Sequence, residues 1–153
     1  MIRMTLEIAA LADGWADFRL SIGDHRIETR ASHLHDAIGE LARAAVRLAR
    51  GGLEARCSFV EEPGALILVV QRDSNDLGRV QVSAFAAASW SDRAVMFAER
   101  SEPLFEGTCA ISELTAAILS SLQSLLLTYG AEDYRRRWGW AFPANEVEIL
   151  SAT

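Results

Sequence analysis

The sequence predicts a single α+β domain over residues 1–153: an antiparallel sheet of about six strands with two long helices packed on one face. Several short runs alternate apolar and polar residues, as half-buried strands do. Two long stretches repeat apolar residues at helical spacing, and the breaks between elements fall on Gly, Pro and Asp. The element order reads ββαββββα, followed by a short C-terminal helix.

Near the start, "IAALA" at 8–12 follows Glu7 and is too short for a signal peptide or a membrane span. Phe18, Leu20 and Ile22 alternate with Arg19 and Ser21; Gly23 and Asp24 turn the chain, and "HRIETR" returns as the second strand of a hairpin. Ser32 is placed to cap a helix through Arg50, with Leu34, Ile38, Leu41, Ala45 and Leu48 on one stripe and Gly51 and Gly52 stopping it. Leu53, Ala55, Cys57 and Phe59 alternate as a one-sided strand. "EEPGA" then sets Pro63 and Gly64 at the centre of a type II turn. "ALILVVQ" is apolar on both faces, as a central strand is, and "RVQVSAFA" alternates again after the polar loop "DSNDLG". A looser segment around Trp90 leads to a strand at "AVMFAE". The second helix begins near Thr108 or Ser112 and ends at Gly130, burying Ile111, Leu114, Ile118, Leu122, Leu125 and Tyr129.

With 50% hydrophobic and 24% charged residues, a chain of this length buries a core without disulfides or metals. Cys57 and Cys109 stand far apart with no CxxC, which fits a reduced, cytoplasmic setting. A formal charge of −6 opposes binding to nucleic acid or an anionic membrane, since both need a basic field. All fifteen basic residues are arginine, so an arginine here does not by itself mark a site that needed a planar fork.

The densest stretch is "AEDYRRRWGWAFP" at 131–143. On a helix after Gly130, Glu132 faces Arg136 and Asp133 faces Arg137 at i,i+4, while Ala131, Tyr134 and Trp138 share the other side. The segment therefore reads as an amphipathic latch closing the domain. Its second reading is a partner site, with Arg136, Trp140 and the more distant Trp90 as contact residues. Arg43, Arg47 and Arg50 form another basic stripe, accounted for by the dipole at a helix C-terminus.

Other constellations carry less chemistry. "SHLHD" offers His33, His35 and Asp36, but two histidines at i,i+2 on a helix point about 200° apart, and zinc motifs use i,i+4. "DSNDLG" starts like a calcium loop, yet has Leu77 at the fifth position and Ala84 where a bidentate glutamate is needed. GxSxG, SxxK, GxxxxGK[ST] and GxGxxG are all missing. Cys57 reads as a buried small hydrophobe, and Cys109, near a helix start, is the thiol more open to activation. Glu61 and Glu62 precede a tight turn and are expected in solvent. No cofactor or metal is expected.

"SHLHDAIGELARAAVRLARGG", the hairpin with "EEPGALILVV" and the closing "YRRRWGWAFP" resemble a loosely defined group of uncharacterised bacterial proteins. In size and layout the chain is also similar to the immunity proteins encoded beside bacterial toxins. These resemblances imply the element order above and no catalytic motif. The expected function is a non-catalytic cytoplasmic interaction module, toxin-neutralising or regulatory, with a protein partner or a second copy of itself bound through the bare face of the 66–70 strand. The alternative is a small-molecule-binding protein or enzyme with a pocket between sheet and helices.

Overall fold

The computed structural model describes residues 3–85, 88–90, 95–97 and 100–153, with 88–90, 95–97 and 100–102 described by their backbone alone. In chain order the elements are β1 (Met4–Ala12), β2 (Trp15–Ile22), β3 (His25–Ser32), α1 (Ala37–Ala49), β4 (Glu54–Val60), β5 (Ala65–Ser74), β6 (Leu77–Phe85), β7 (Ala88–Trp90), β8 (Val95–Phe97), β9 (Arg100–Ala110), α2 (Ile111–Trp138) and α3 (Ala144–Ser151).

The α+β class holds, but the single six-stranded sheet is replaced by two antiparallel sheets, β1-β2-β3 and β4-β5-β6-β9, with β7 and β8 paired separately. Two strands absent from the expected order explain the difference. Met4, Leu6 and Ile8 alternate with Thr5 and Glu7, and this β1 occupies the second edge of β2, closing a three-stranded meander. A bulge at Ala10, φ 26°, shifts the phase so that Leu11 returns to the buried face. In β9 the inward positions are Phe105, Gly107 and Cys109. A Cβ on Gly107 would stand 3.2 Å from Ile22, so the first sheet comes too close for a side chain there, and the alternation is erased from the sequence.

The two sheets face each other across one core. Met4, Leu6, Ile8, Phe18, Leu20 and Ile22 meet Cys57, Phe59, Leu66, Leu68 and Val82, with the Phe18 and Phe59 rings edge-on at 4.6 Å. The outer face of the first sheet is polar, and Arg19 lies between Glu7 (3.7 Å) and Glu28 (3.5 Å). Each long helix runs beside a sheet edge. From α2, the Ser121 hydroxyl donates to the Leu6 carbonyl (2.9 Å) and the Tyr129 hydroxyl accepts from the Leu11 amide (3.1 Å), so the helix satisfies backbone groups of edge strand β1. Helix α1 packs on β4, where the Cys57 thiol meets the Ala37 carbonyl at 3.4 Å.

Several local expectations are revised. Asp36, not Ser32, caps α1 by accepting from the Gly39 amide, 3.0 Å; the Ser32 hydroxyl accepts from the Leu34 amide one turn earlier, and Leu34 lies outside the helix, largely exposed. The strand after α1 starts at Glu54, leaving Leu53 in solvent. At "EEPGA" the Glu62–Pro63 peptide is cis and Glu62 has φ 53°, so the turn is not type II. Glu61 accepts from the Thr29 hydroxyl (2.7 Å) instead of facing solvent alone. Helix α2 takes its cap from the tight β5–β6 turn: Ala110 has no capping group, and Asp76 accepts from the Ser112 amide (2.9 Å) and hydroxyl (2.6 Å).

Gly130, at φ 77° and ψ 162°, breaks α2 into 111–129 and 131–138. By length and apolarity α2 would suffice to cross a membrane. Its Ile111, Leu114, Ile118, Leu122 and Leu125 belong to the core. The C-terminal segment packs as α3 against α1 and α2. On the outer face of β5, expected to be bare, Ala65 and Ile67 are buried within one chain and Val69 is half-buried.

Candidate protein-contact site

Residues 131–140 fasten the C-terminal part of the chain to two earlier turns. Tyr134 and Trp138 are fully buried, one helical turn apart, and the Trp138 indole donates to Asp36 Oδ1 at 2.9 Å. One carboxylate thus caps α1 and holds the latch. Arg137 reaches the 12–15 turn: its guanidinium donates to the Leu11 carbonyl (3.2 Å) and lies over the Tyr129 ring (5.0 Å), and its carbonyl accepts from the Gly14 amide (2.8 Å). Gly139, φ 100°, ends the helix in the left-handed conformation.

Of the two i,i+4 pairs expected, Asp133 with Arg137 forms, and Arg136 turns to Asp133 instead of Glu132. Asp133 takes both arginines, Arg136 at i+3 and Arg137 at i+4, while Ala131 is exposed and does not share the buried side. The bond from Arg137, followed by burial working the other way and the bond from Arg136, holds the Asp133 carboxyl below its usual range.

Of the three expected contact residues, Arg136 is exposed with its charge committed to Asp133. Trp140 is half-exposed, and its indole donates to the His33 carbonyl at 2.7 Å. The Trp90 backbone pairs with Val95 in the β7–β8 ribbon; its side chain lies outside the described residues. Arg136 and Trp140 share the latch, and nothing described brings Trp90 to them.

What the sequence did not single out is the cleft beside the latch. Where 111–129, 131–138 and α3 meet, Leu126, Ala131, Phe142 and Val147 line an open, apolar hollow of about 500 Å³, with Glu132 and Arg135 on its walls. Leu127, next in sequence to Leu126, is 90% exposed, and the helix carries no charge between Glu113 and Glu132. Strand and helix periodicity alone could not isolate these residues, because the hollow arises only from the break at Gly130.

A polar cluster lies at the start of α1. Glu40 Oε1 accepts from the Ser58 amide and stands 3.1 Å from His35 Nε2, a contact at ion-pair distance without good hydrogen-bond alignment. Burial pushes the Glu40 carboxyl up, but His35, the Ser58 amide and Arg43 outweigh it, leaving it below its ordinary value. Cys57 lies beneath, fully buried, its thiol pushed well up by burial and by Glu40. Cys109 goes the same way: burial, then Glu113 and Asp76, push it up to about 11, overriding the helix start that was expected to activate it. Both thiols are free and buried. The histidines go to separate neighbours, His33 beside Gly14 and Gly139, His35 to Glu40 and His25 to the Phe105 ring. Among the described residues no three His, Cys, Asp or Glu converge as metal ligands.

Between the two sheets the cleft bounded by Leu6, Phe18, Phe59 and Leu68 is about 30 Å³, near the size of one water; between sheet and helix, α1 and β4 flank an open groove of about 920 Å³. The chain matches no family model, no curated protein and no solved structure.

Proposed function

We propose that this chain is a non-catalytic cytoplasmic interaction module, toxin-neutralising or regulatory in kind, that offers its C-terminal corner to a protein partner or a second copy of itself. The apolar cleft lined by Leu126, together with the exposed Leu127 next to it in sequence, carries the reading. Leu126, Phe142 and Val147 line a concave apolar surface with charged Glu132 and Arg135 alongside, and an uncharged helix face leads into it. Apolar surface rimmed by polar groups is the composition of interface cores. The latch beneath makes the platform rigid, because Tyr134 packs edge-on against Phe142 at 5.2 Å. Acidity supports a partner that is neither nucleic acid nor membrane.

The test places a photocrosslinking residue at position 127 and, as control, at the exposed position 19 of the first sheet, in cells expressing the full chain. A discrete adduct from 127, not from 19, and lost on Val147→Asp is expected. An adduct of twice the chain mass identifies a homodimer. Equal adducts from both positions, or none from 127, reject the assignment.

A further inference from the structure

Strand β4 is an edge of the second sheet. The Leu53 carbonyl accepts from the Arg72 amide of β5 (2.8 Å), so the alternation of an antiparallel pair turns the N–H and C=O groups of Glu54, Arg56 and Ser58 away from β5. The Ser58 amide is taken by Glu40; at Glu54 and Arg56 the edge opens onto a groove of about 920 Å³ between β4 and α1. Glu40 meets Ser58 and the Arg47 carbonyl meets the Gly52 amide, so the helix runs beside the strand in the opposite direction.

Arg43, Arg47, Arg50 and Arg56 line this groove, with Glu40 and Glu54 the acids among them. Arg56 is 3.7 Å from Glu54 and both are exposed. Among the described residues no carboxylate lies within 4.0 Å of Arg43, Arg47 or Arg50. Capping does not account for them either. The carbonyls at the end of α1 are held by Arg72, which donates to Leu48 (2.6 Å) and Gly52 (3.2 Å). A chain of net charge −6 thus gathers four arginines beside the open edge of a strand.

We infer that this groove binds an acidic, extended segment of a partner protein, which pairs with the β4 edge at Glu54 and Arg56 and sets alternate carboxylates against the arginines of α1. Spacing supports strand addition over a free anion. Alternate side chains on a strand are about 6.6 Å apart, and Arg43 and Arg47 are separated by about 6 Å along the helix axis. An acidic-x-acidic segment therefore places one carboxylate at each guanidinium, where bidentate pairing is strong, while its backbone bonds the edge. The site is separate from the C-terminal corner.

The probe is a short fluorescein-labelled peptide in which Asp alternates with Val, titrated with the full chain in an anisotropy assay. Saturable binding is expected, weakened about tenfold or more by Arg43→Gln with Arg47→Gln, by Asn in place of Asp, or by N-methylation of the edge-facing peptide amides. Amide exchange at Glu54 and Arg56 should slow with the peptide bound, and Leu127→Asp should leave its binding intact. An unchanged far-UV spectrum confirms that the arginine variant is folded. No binding, equal binding of the N-methylated peptide, indifference to the arginine changes, or displacement by an oligonucleotide at lower concentration than by unlabelled peptide overturns the inference.

Discussion

Tyr134 and Trp138 occupy equally buried places but differ in what their polar atoms meet. The Trp138 N–H has the Asp36 carboxylate; the Tyr134 hydroxyl has no partner among the described residues, and burial with Asp36 nearby pushes its ionisation far up. Phenylalanine at each position separates the cases. Trp138→Phe should cost about 2 kcal/mol, because it removes a hydrogen bond to a charged acceptor and leaves Asp36 with the Gly39 amide, whereas Tyr134→Phe should be neutral or stabilising by about 1 kcal/mol, because it removes an unmet desolvation cost. Trp138→Ala should cost about 3–5 kcal/mol, mostly through the cavity. Urea melts decide, and a Tyr134→Phe variant as weak as Trp138→Phe would mean that the hydroxyl is satisfied. Arg136→Ala, at an exposed pair, should leave the melt within error.

Glu40 sets the acid response at the same scale. Its carboxyl is held low in the fold, so as pH falls below about 5 the unfolded chain takes up the proton first and the native state loses stability, down to the folded-state value. Glu40→Gln should be less stable at neutral pH and show a shallower loss as pH falls below about 5; an unchanged slope would assign the acid response to other carboxylates. The inward side of the latch and the burial of Cys57 were legible in the sequence, since each follows from periodicity. The Asp76 cap and the Arg72 clasp were not, because donor and acceptor are brought together only by the fold and leave no local spacing to read.

Among the elements, α2 is governed by Gly130. Its φ and ψ lie where essentially only glycine is found, while a Cβ there would meet nothing within 4 Å. Gly130→Ala therefore meets a backbone cost of about 1–3 kcal/mol without a steric clash. The chain can relieve it by continuing the helix straight through, which swings Tyr134 and Trp138 from their socket. The expected signature is higher far-UV helicity with a lower denaturation midpoint; gains in both would mean that the break is dispensable. Alternation also located β2 to β6 and helical spacing the body of the first helix, but the end of β1, residues 8–12, was weighed only as a signal segment and β9 was masked by Gly107.

For the whole molecule, the question is which apolar surface is left for another protein. The run 66–70 pointed to a bare sheet face, yet the sheet buries Ala65 and Ile67 within one chain, and the largest exposed apolar side chain on α2 is Leu127. If copies associate, light scattering across a concentration series should give a dimer that Leu127→Asp converts to monomer and Val69→Thr leaves intact. A dimer that survives Leu127→Asp would move the interface away from the corner. Two sheets instead of one could not be read from strand patterns, since alternation states which side chains are buried, not against which layer.

The latch also imposes an order in time. Asp36 is translated 102 residues before Trp138, and the Leu11 carbonyl 126 residues before the arginine that binds it. On the ribosome, the first meander and α1 leave the exit tunnel with their socket empty, and the chain can complete its core only after the closing helix follows. Contacts of such separation form slowly and leave apolar surface open meanwhile. The tryptophan that ends the wait is itself the reporter: the shift of Trp138 fluorescence into the core should be the final event of folding.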